Sequence, residues 1–202
     1  MKTLYLDTAY NQVIGICDER GQWLEIKESV GQRSSALLHS DLHKMCQSHG
    51  LRASDLKRVI YVAGPGFYTG LRIAYGIAQT MKLSGVDTRG LYSYEIPKLL
   101  GEQNYTWITK AYRGEVFVFE SKNSQGSLMS EDDFLARDWS GKVYIHHPRA
   151  LDDKMLAKLS TTQTTENLIT QNFAKILPAV ALVPEPALYY FRAPEDEFRP
   201  NP

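Results

Sequence analysis

The chain has 202 residues, 43% of them hydrophobic, and its 23 Lys and Arg balance 23 Asp and Glu. That length can bury one substantial core or two small ones, and the even charge lacks the basic footprint of a protein that grips nucleic acid by itself, so any RNA connection should run through a partner. No stretch reaches the roughly 18 apolar residues of a membrane span and the start MKTLYLDTAYNQV has no leader pattern, so a cytoplasmic protein is expected, with Cys17 and Cys46 too few for a disulfide framework or zinc site and serving as small buried hydrophobes.

In chain order, residues 3–8 (TLYLDT), 12–17 (QVIGIC) and the run QWLEIKES after Arg20-Gly21 are β-prone at hairpin distance, which predicts a three-stranded meander. SSALLHSDLHKMCQSHG places Leu38, Leu42, Met45, Cys46 and His49 at helical spacing, with Ser34 or Ser35 as N-cap and Gly50 as stop. The apolar run RVIYVA then enters GPGFYTGLR (64–72), and a second helix should run from about Thr69 to Leu83. A short strand and SYEIPKLL complete about a hundred residues. One helix-linked parallel crossing on a mixed sheet reads as α/β.

Beyond Gly101 the pattern weakens. YTWITKAY, GEVFVFES and KVYIHH read as strands; SEDDFLARDW, LDDKMLAKL and ENLITQNFAKIL read as helices. This predicts a first lobe over 1–100 and a smaller second one over 101–202. The closing VPEPALYYFRAPEDEFRPNP holds five of the nine prolines and should be an extended tail crossing the surface. No internal repeat is evident.

The turn at 64–70 spells G-x-G-x-x-x-G, which matches neither the dinucleotide fingerprint nor the P-loop with its lysine and hydroxyl. Thr69 is placed to cap the following helix, whose N-terminus would attract an anion. Asp7-Thr8 at the end of the first strand could hold a metal or a water near a phosphate, or be a turn. If a vestige of a nucleotide site persists, it should be Asp7, Thr8, Gly64, Gly66, Thr69 and Gly70. The helix after the turn is apolar nearly all round, with Gly70, Ala74 and Ala78 at i, i+4, i+8. It needs cover on two sides, from within the domain or from a second chain. His39 and His43 at i, i+4 lack a third ligand or adjacent catalytic carboxylate, and His146-His147 reads as a strand end. No G-x-S-x-G elbow occurs.

LYLDTA, QRSSALL, SDLKRVIYVAGPGFYTGLRIAYGIAQTMKL, RGEVFVFE and ALYYFR together resemble the TsaB (YeaZ) family of tRNA threonylcarbamoyladenosine biosynthesis proteins in the actin-like ATPase (ASKHA) superfamily. The resemblance covers the first hundred residues well and the rest in patches. It implies an actin-like, ribonuclease H-like fold of two lobes with mixed sheets, the second shortened and degenerate. It also implies a protein with no catalytic residues or metal site and no cofactor of its own, ATP and metal being expected on its partners. Those partners would be the TsaD enzyme, which modifies adenosine 37 of tRNA, and the TsaE ATPase, with a homodimer when TsaD is absent. The implied docking surface lies on the two helices, and Leu37, Asp41, Met45, Leu71, Arg72, Tyr75 and Gln79 are expected on their exposed faces. The residues are consistent with this, since no Gly-Gly pair occurs anywhere and no D-x-G turn follows residue 101 to complete a nucleotide cleft. The family's usual Arg-His-Ser-Glu is here Arg33-Ser34-Ser35-Ala36, and its Asp-Ala-Arg is Lys110-Ala111-Tyr112. The competing expectation is an actin-like ATPase or metallopeptidase-like enzyme using Asp7, Thr8 and the 64–70 turn.

Overall fold

The computed structural model describes residues 1–29, 34–112, 114–147, 149–159, 162–180, 182 and 185–192, leaving aside the side chains of 34–36 and 162. The first unit begins with β1 (Lys2–Asp7), β2 (Gln12–Cys17) and β3 (Trp23–Ser29), followed by α1 (Ser34–Ser48), β4 (Leu56–Gly64), α2 (Tyr68–Leu83) and β5 (Asp87–Tyr92). Its sheet has the order β3-β2-β1-β4-β5. The hairpins pair antiparallel, while β1 with β4 and β4 with β5 pair parallel, because parallel neighbours need a crossover and α1 and α2 supply it.

Both faces of this sheet are covered, which is why β1 after Lys2 and all of β2 are buried. The strand alternation sends Leu4, Leu6, Ile14, Ile16, Val59 and Tyr61 into one cluster with Leu38 and Met45 of α1 and Ala74, Ile77 and Ala78 of α2. On the other face Trp23 stacks on Phe173 at 4.4 Å, and Tyr5 meets both rings edge-on at 6.1 and 5.6 Å. Gly15 makes room for that indole, since a Cβ there would lie 2.6 Å from it. Cys17 and Cys46 are buried free thiols. Burial, helped by the neighbouring Asp18, pushes the Cys17 thiol up to about 11.

The second unit contains α3 (Ile96–Leu99), β6 (Tyr105–Lys110), β7 (Glu115–Glu120), β8 (Gln125–Ser130), α4 (Glu131–Ala136), β9 (Lys142–Ile145), α5 (Asp153–Ala157) and β10 (Thr162–Thr164), and α6 (Thr165–Val180) starts in it. Its sheet reads β8-β7-β6-β9-β10, with β7 antiparallel to its neighbours and β6, β9 and β10 parallel. That is the topology of the first sheet, repeated without a sequence repeat to announce it. The elements are short but the arrangement is whole. One face is aliphatic, with Ile108, Val116, Val118, Val143 and Ile145 against Phe134 and Met155 of α4 and α5. The other is aromatic, where Trp107 meets Phe117 and His146 edge-on. β8 and β10 were not foreseen: QGSLMS is an exposed edge with weak alternation, and Thr-Gln-Thr is too short to carry a period.

The units divide at Tyr92–Ser93 rather than at residue 100, and Phe173–Tyr190 returns to the first unit. The return begins at Asn172, whose non-helical φ of −127° kinks α6. Phe173 then completes the Tyr5–Trp23 face. Of the expected proline-rich tail, 185–192 is free of helix and strand, and 183–184 and 193–202 lie outside the described residues.

Phe173→Ala should cost about 3–5 kcal/mol, read as a lowered midpoint in urea denaturation with unchanged slope.

Candidate functional site

The glycine turn is built against its own chain. Gly64 ends β4 with φ 122°, a conformation open to glycine and rarely to other residues, and the Gly64–Pro65 peptide is cis. The Phe67 N–H donates to the Ala9 carbonyl at 3.1 Å, and the Thr8 hydroxyl donates to the Gly70 carbonyl at 2.6 Å. From the C-terminal side, the Tyr189 N–H donates to the Ala63 carbonyl at 2.8 Å, and Tyr190 bridges to Gly66. A Cβ on Gly66 would lie 2.7–2.8 Å from Ala9; one on Gly64 or Gly70 would be driven into the carbonyl of Tyr189 or Thr8. Each glycine therefore admits a neighbouring stretch of backbone.

Among the residues expected at a nucleotide vestige, Asp7, Thr8, Gly64, Gly66 and Gly70 do come together. The buried Asp7 carboxylate accepts from the Ala9 N–H at 2.9 Å, the local role of a turn aspartate. Thr69 departs from expectation. The N-cap is Phe67, with no side-chain cap bond, so α2 starts one residue early and Thr69 falls inside the first turn, exposed.

Residues 185–190 form a strap over β4, β5 and α2. The Glu185 carboxylate accepts from the Tyr61 hydroxyl at 3.1 Å, Gln79 Nε2 at 2.8 Å and Lys82 Nζ at 2.5 Å. Burial alone would raise this carboxyl, but the Lys82 and Tyr61 hydrogen bonds, the Lys82 charge and the Gln79 bond outweigh it and hold it below the usual range. The Tyr92 hydroxyl donates to the Ala187 carbonyl at 2.9 Å, and the Tyr190 ring lies 4.9 Å from that of Tyr68. Arg72 sits over the Tyr68 ring and donates to the Tyr190 hydroxyl. Sequence reading missed these strap contacts; the one signal was ALYYFR itself, five apolar or aromatic residues and an arginine in a tail expected to cross the surface.

The helix faces are rotated from expectation. Met45 and Leu71 were expected to be exposed but are core residues, at 2% and 0% exposure. Asp41 accepts from Gln12 at 2.9 Å and Lys27 at 3.2 Å, and Tyr75 lies edge-on to Tyr61 at 5.7 Å. Gln79 is held by Glu185. Of the seven, Leu37 (54% exposed) and Arg72 face solvent. The small-residue line Gly70, Ala74, Ala78 is turned inward, where it lets α2 lie close on β1 and β4. The solvent stripe of α2 is instead Arg72, Gly76, Thr80 and Leu83. The physical reason is that a helix apolar nearly all round does not reveal which arc meets the sheet.

His39 and His43 are exposed on α1. His146 and His147 are buried; His147 Nδ1 accepts from the Arg149 N–H at 3.0 Å, so its proton sits on Nε2, 3.3 Å from the Glu166 carboxylate. Lys110 pairs with Glu131 at 3.1 Å, while Arg33 and the side chains of Ser34, Ser35 and Ala36 lie outside the described residues. No helix among the described residues is long and apolar enough to cross a membrane.

Residues 28–85, which run from the end of β3 through α2, match the family TsaD, tRNA N6-adenosine threonylcarbamoyltransferase. No curated protein matches the chain by sequence. Among solved structures, an uncharacterized protein described as similar to peptidase YeaZ from Pseudomonas aeruginosa superposes with TM-score 0.59 at 18% identity, covering 93% of this chain and 99% of that one. YeaZ from Pseudomonas aeruginosa gives 0.57 at 18% identity over 88% and 92%, and the ethanolamine utilization protein EutJ from Carboxydothermus hydrogenoformans gives 0.50 at 10% over 90% and 89%. The chain therefore has the actin-like, two-lobed α/β fold, with YeaZ-type proteins as structural neighbours along nearly its whole length.

Two glycine substitutions in α2 should act oppositely. Gly70→Ala should destabilise by about 1–3 kcal/mol through its clash with Thr8. Gly76→Ala, with nothing within 4 Å of its Cβ, should stabilise by up to about 1 kcal/mol; thermal denaturation of both reads the contrast. For Glu185, a carboxyl held low when folded contributes stability above its unfolded value of about 4.3 and loses it as pH falls through the lower folded one. The wild type should therefore melt above Glu185→Gln from pH 7 down to about 5, and the gap should close at more acid pH.

Proposed function

We propose that this chain is a TsaB-type protein, itself non-catalytic, that binds and stabilises a TsaD threonylcarbamoyltransferase for the t6A modification of tRNA adenosine 37, together with a TsaE-type ATPase. The observation that carries this reading is the glycine turn. In an actin-like fold such a turn is a natural phosphate cradle, yet here Gly64, Gly66 and Gly70 each receive the chain's own backbone. The turn thereby serves to start α2 at a fixed place on the sheet. The likeness to YeaZ across nearly the full chain supports the same role, as does the match of residues 28–85 to the TsaD family.

The proposed docking surface is the solvent side of the two helices, Leu37 of α1 with Arg72, Gly76, Thr80 and Leu83 of α2. Small residues at its centre let a partner helix approach, and Leu83, 91% exposed, offers an apolar end. In the absence of TsaD the same surface serves a second copy of the chain. With 23 positive and 23 negative side chains, tRNA is reached through the complex, ATP and metal are carried by the partners, and the setting is the cytoplasm.

Co-expression with the organism's TsaD tests this. The wild type should co-purify, and Gly76→Arg should abolish co-purification while melting no lower than wild type. Failure of the wild type to bind TsaD, or micromolar Mg-ATP binding with turnover by the isolated chain, would overturn the proposal.

A further inference from the structure

The second unit has a cleft of about 610 Å³ unrelated to the glycine turn. It lies where β6 begins and β7 ends, at the end of the sheet opposite to the one at which, in the first unit, the glycine turn leaves β4. Its aromatic base is Tyr94, stacked on Phe119 with ring centroids 4.1 Å apart and planes 18° from parallel. Its walls are tied together. The Tyr105 N–H donates to Ser121 Oγ at 2.7 Å, the Ser121 N–H donates to the Tyr105 carbonyl at 3.0 Å, and the Tyr105 hydroxyl donates to the Tyr94 carbonyl at 2.6 Å. The base is thus fixed before any ligand arrives.

Two further features gather at the rim. Asn104 (φ 54°) and Ser124 (φ 51°), the positive-φ non-glycine residues among those described, both line this cleft, and such backbone clusters where a site over-determines it. Lys98 and Lys122 also line it, and neither makes an ion pair with a described residue. Of the carboxylates there, Glu102 is answered by Lys142 at 2.6 Å. Glu95 then stands against two lysines, which leaves a positive excess at the mouth.

We infer that this cleft binds a mononucleotide, the base over the Tyr94–Phe119 stack and the phosphate between Lys98 and Lys122. The volume fits one such ligand, stacking on an aromatic platform is open to any base, and lysine holds phosphate as a point charge. The polar rim supplies hydrogen-bonding groups for the base edge. This inference stands independently of the proposed partnership with TsaD.

Calorimetry and ligand-observed NMR of the full chain with AMP, GMP, CMP and UMP test it, with the matching nucleosides and inorganic phosphate as the separate halves. At least one mononucleotide should bind, and its nucleoside and phosphate should each bind at least tenfold more weakly. Lys98→Ala/Lys122→Ala, a change to two exposed side chains, should weaken binding at least tenfold with the melting temperature unchanged, and Tyr94→Leu should weaken it while Tyr94→Phe keeps it. No binding at millimolar nucleotide would overturn the inference, as would binding that survives the double lysine variant.

Discussion

The first unit is organised by backbone approaching backbone at the glycine turn. Three segments distant in sequence meet there: the β1–β2 hairpin through Thr8 and Ala9, the strand-to-helix turn at 64–70, and the strap through Tyr189 and Tyr190. Each approach uses the space a side chain would fill. Their hydrogen bonds are individually modest, about 0.5–1.5 kcal/mol, but together they fix the height and angle at which α2 leaves the sheet. The burial of Leu71, Ala74, Ile77 and Ala78 follows from that placement. So does the identity of the stripe left facing water.

The two sheets share one topology and meet its packing demands differently. In the first, α1 and α2 cover one face, and the return of Phe173 completes the other with stacked rings. The second sheet has an aliphatic face under α4 and α5 and an aromatic face around Trp107. Helices of five and six residues cover less surface than helices of fifteen and sixteen, and large rings supply the bulk that short elements lack. The same concentration of aromatics furnishes the Tyr94–Phe119 platform at the sheet's end.

Much of the first unit was legible in the sequence because its strands and helices carry clear periods. QVIGIC and RVIYVA announce buried strands, and YTGLRIAYGIAQTMKL announces a helix within one residue of its start. The coming together of Asp7, Thr8 and the glycines was legible from the strand-to-helix position of the turn. The rotation of the helices was not. Leu71 looked as available as Leu37, because periodicity reports that a face is apolar without saying what lies against it, whereas Met45 follows the apolar stripe of Leu38 and Cys46 into the core. The strap was hidden for another reason: Glu185, Tyr189 and Tyr190 form no regular element, and their partners lie far back in the chain, as Tyr61 and Arg72 do. The repeated topology of the second unit was likewise invisible, since strand order is a property of pairing.

The sequence by itself determined the α/β class, the order of the main elements, and the likeness of the turn to a phosphate loop without its lysine and hydroxyl. Only the tertiary structure decided what the turn's glycines are for, which residues of α2 meet solvent, and where a second concave surface lies. The reason is physical: local propensity and period act over a few residues, whereas close backbone approach, the choice of buried arc and the shape of a cleft are set by segments that chain folding brings together from far apart.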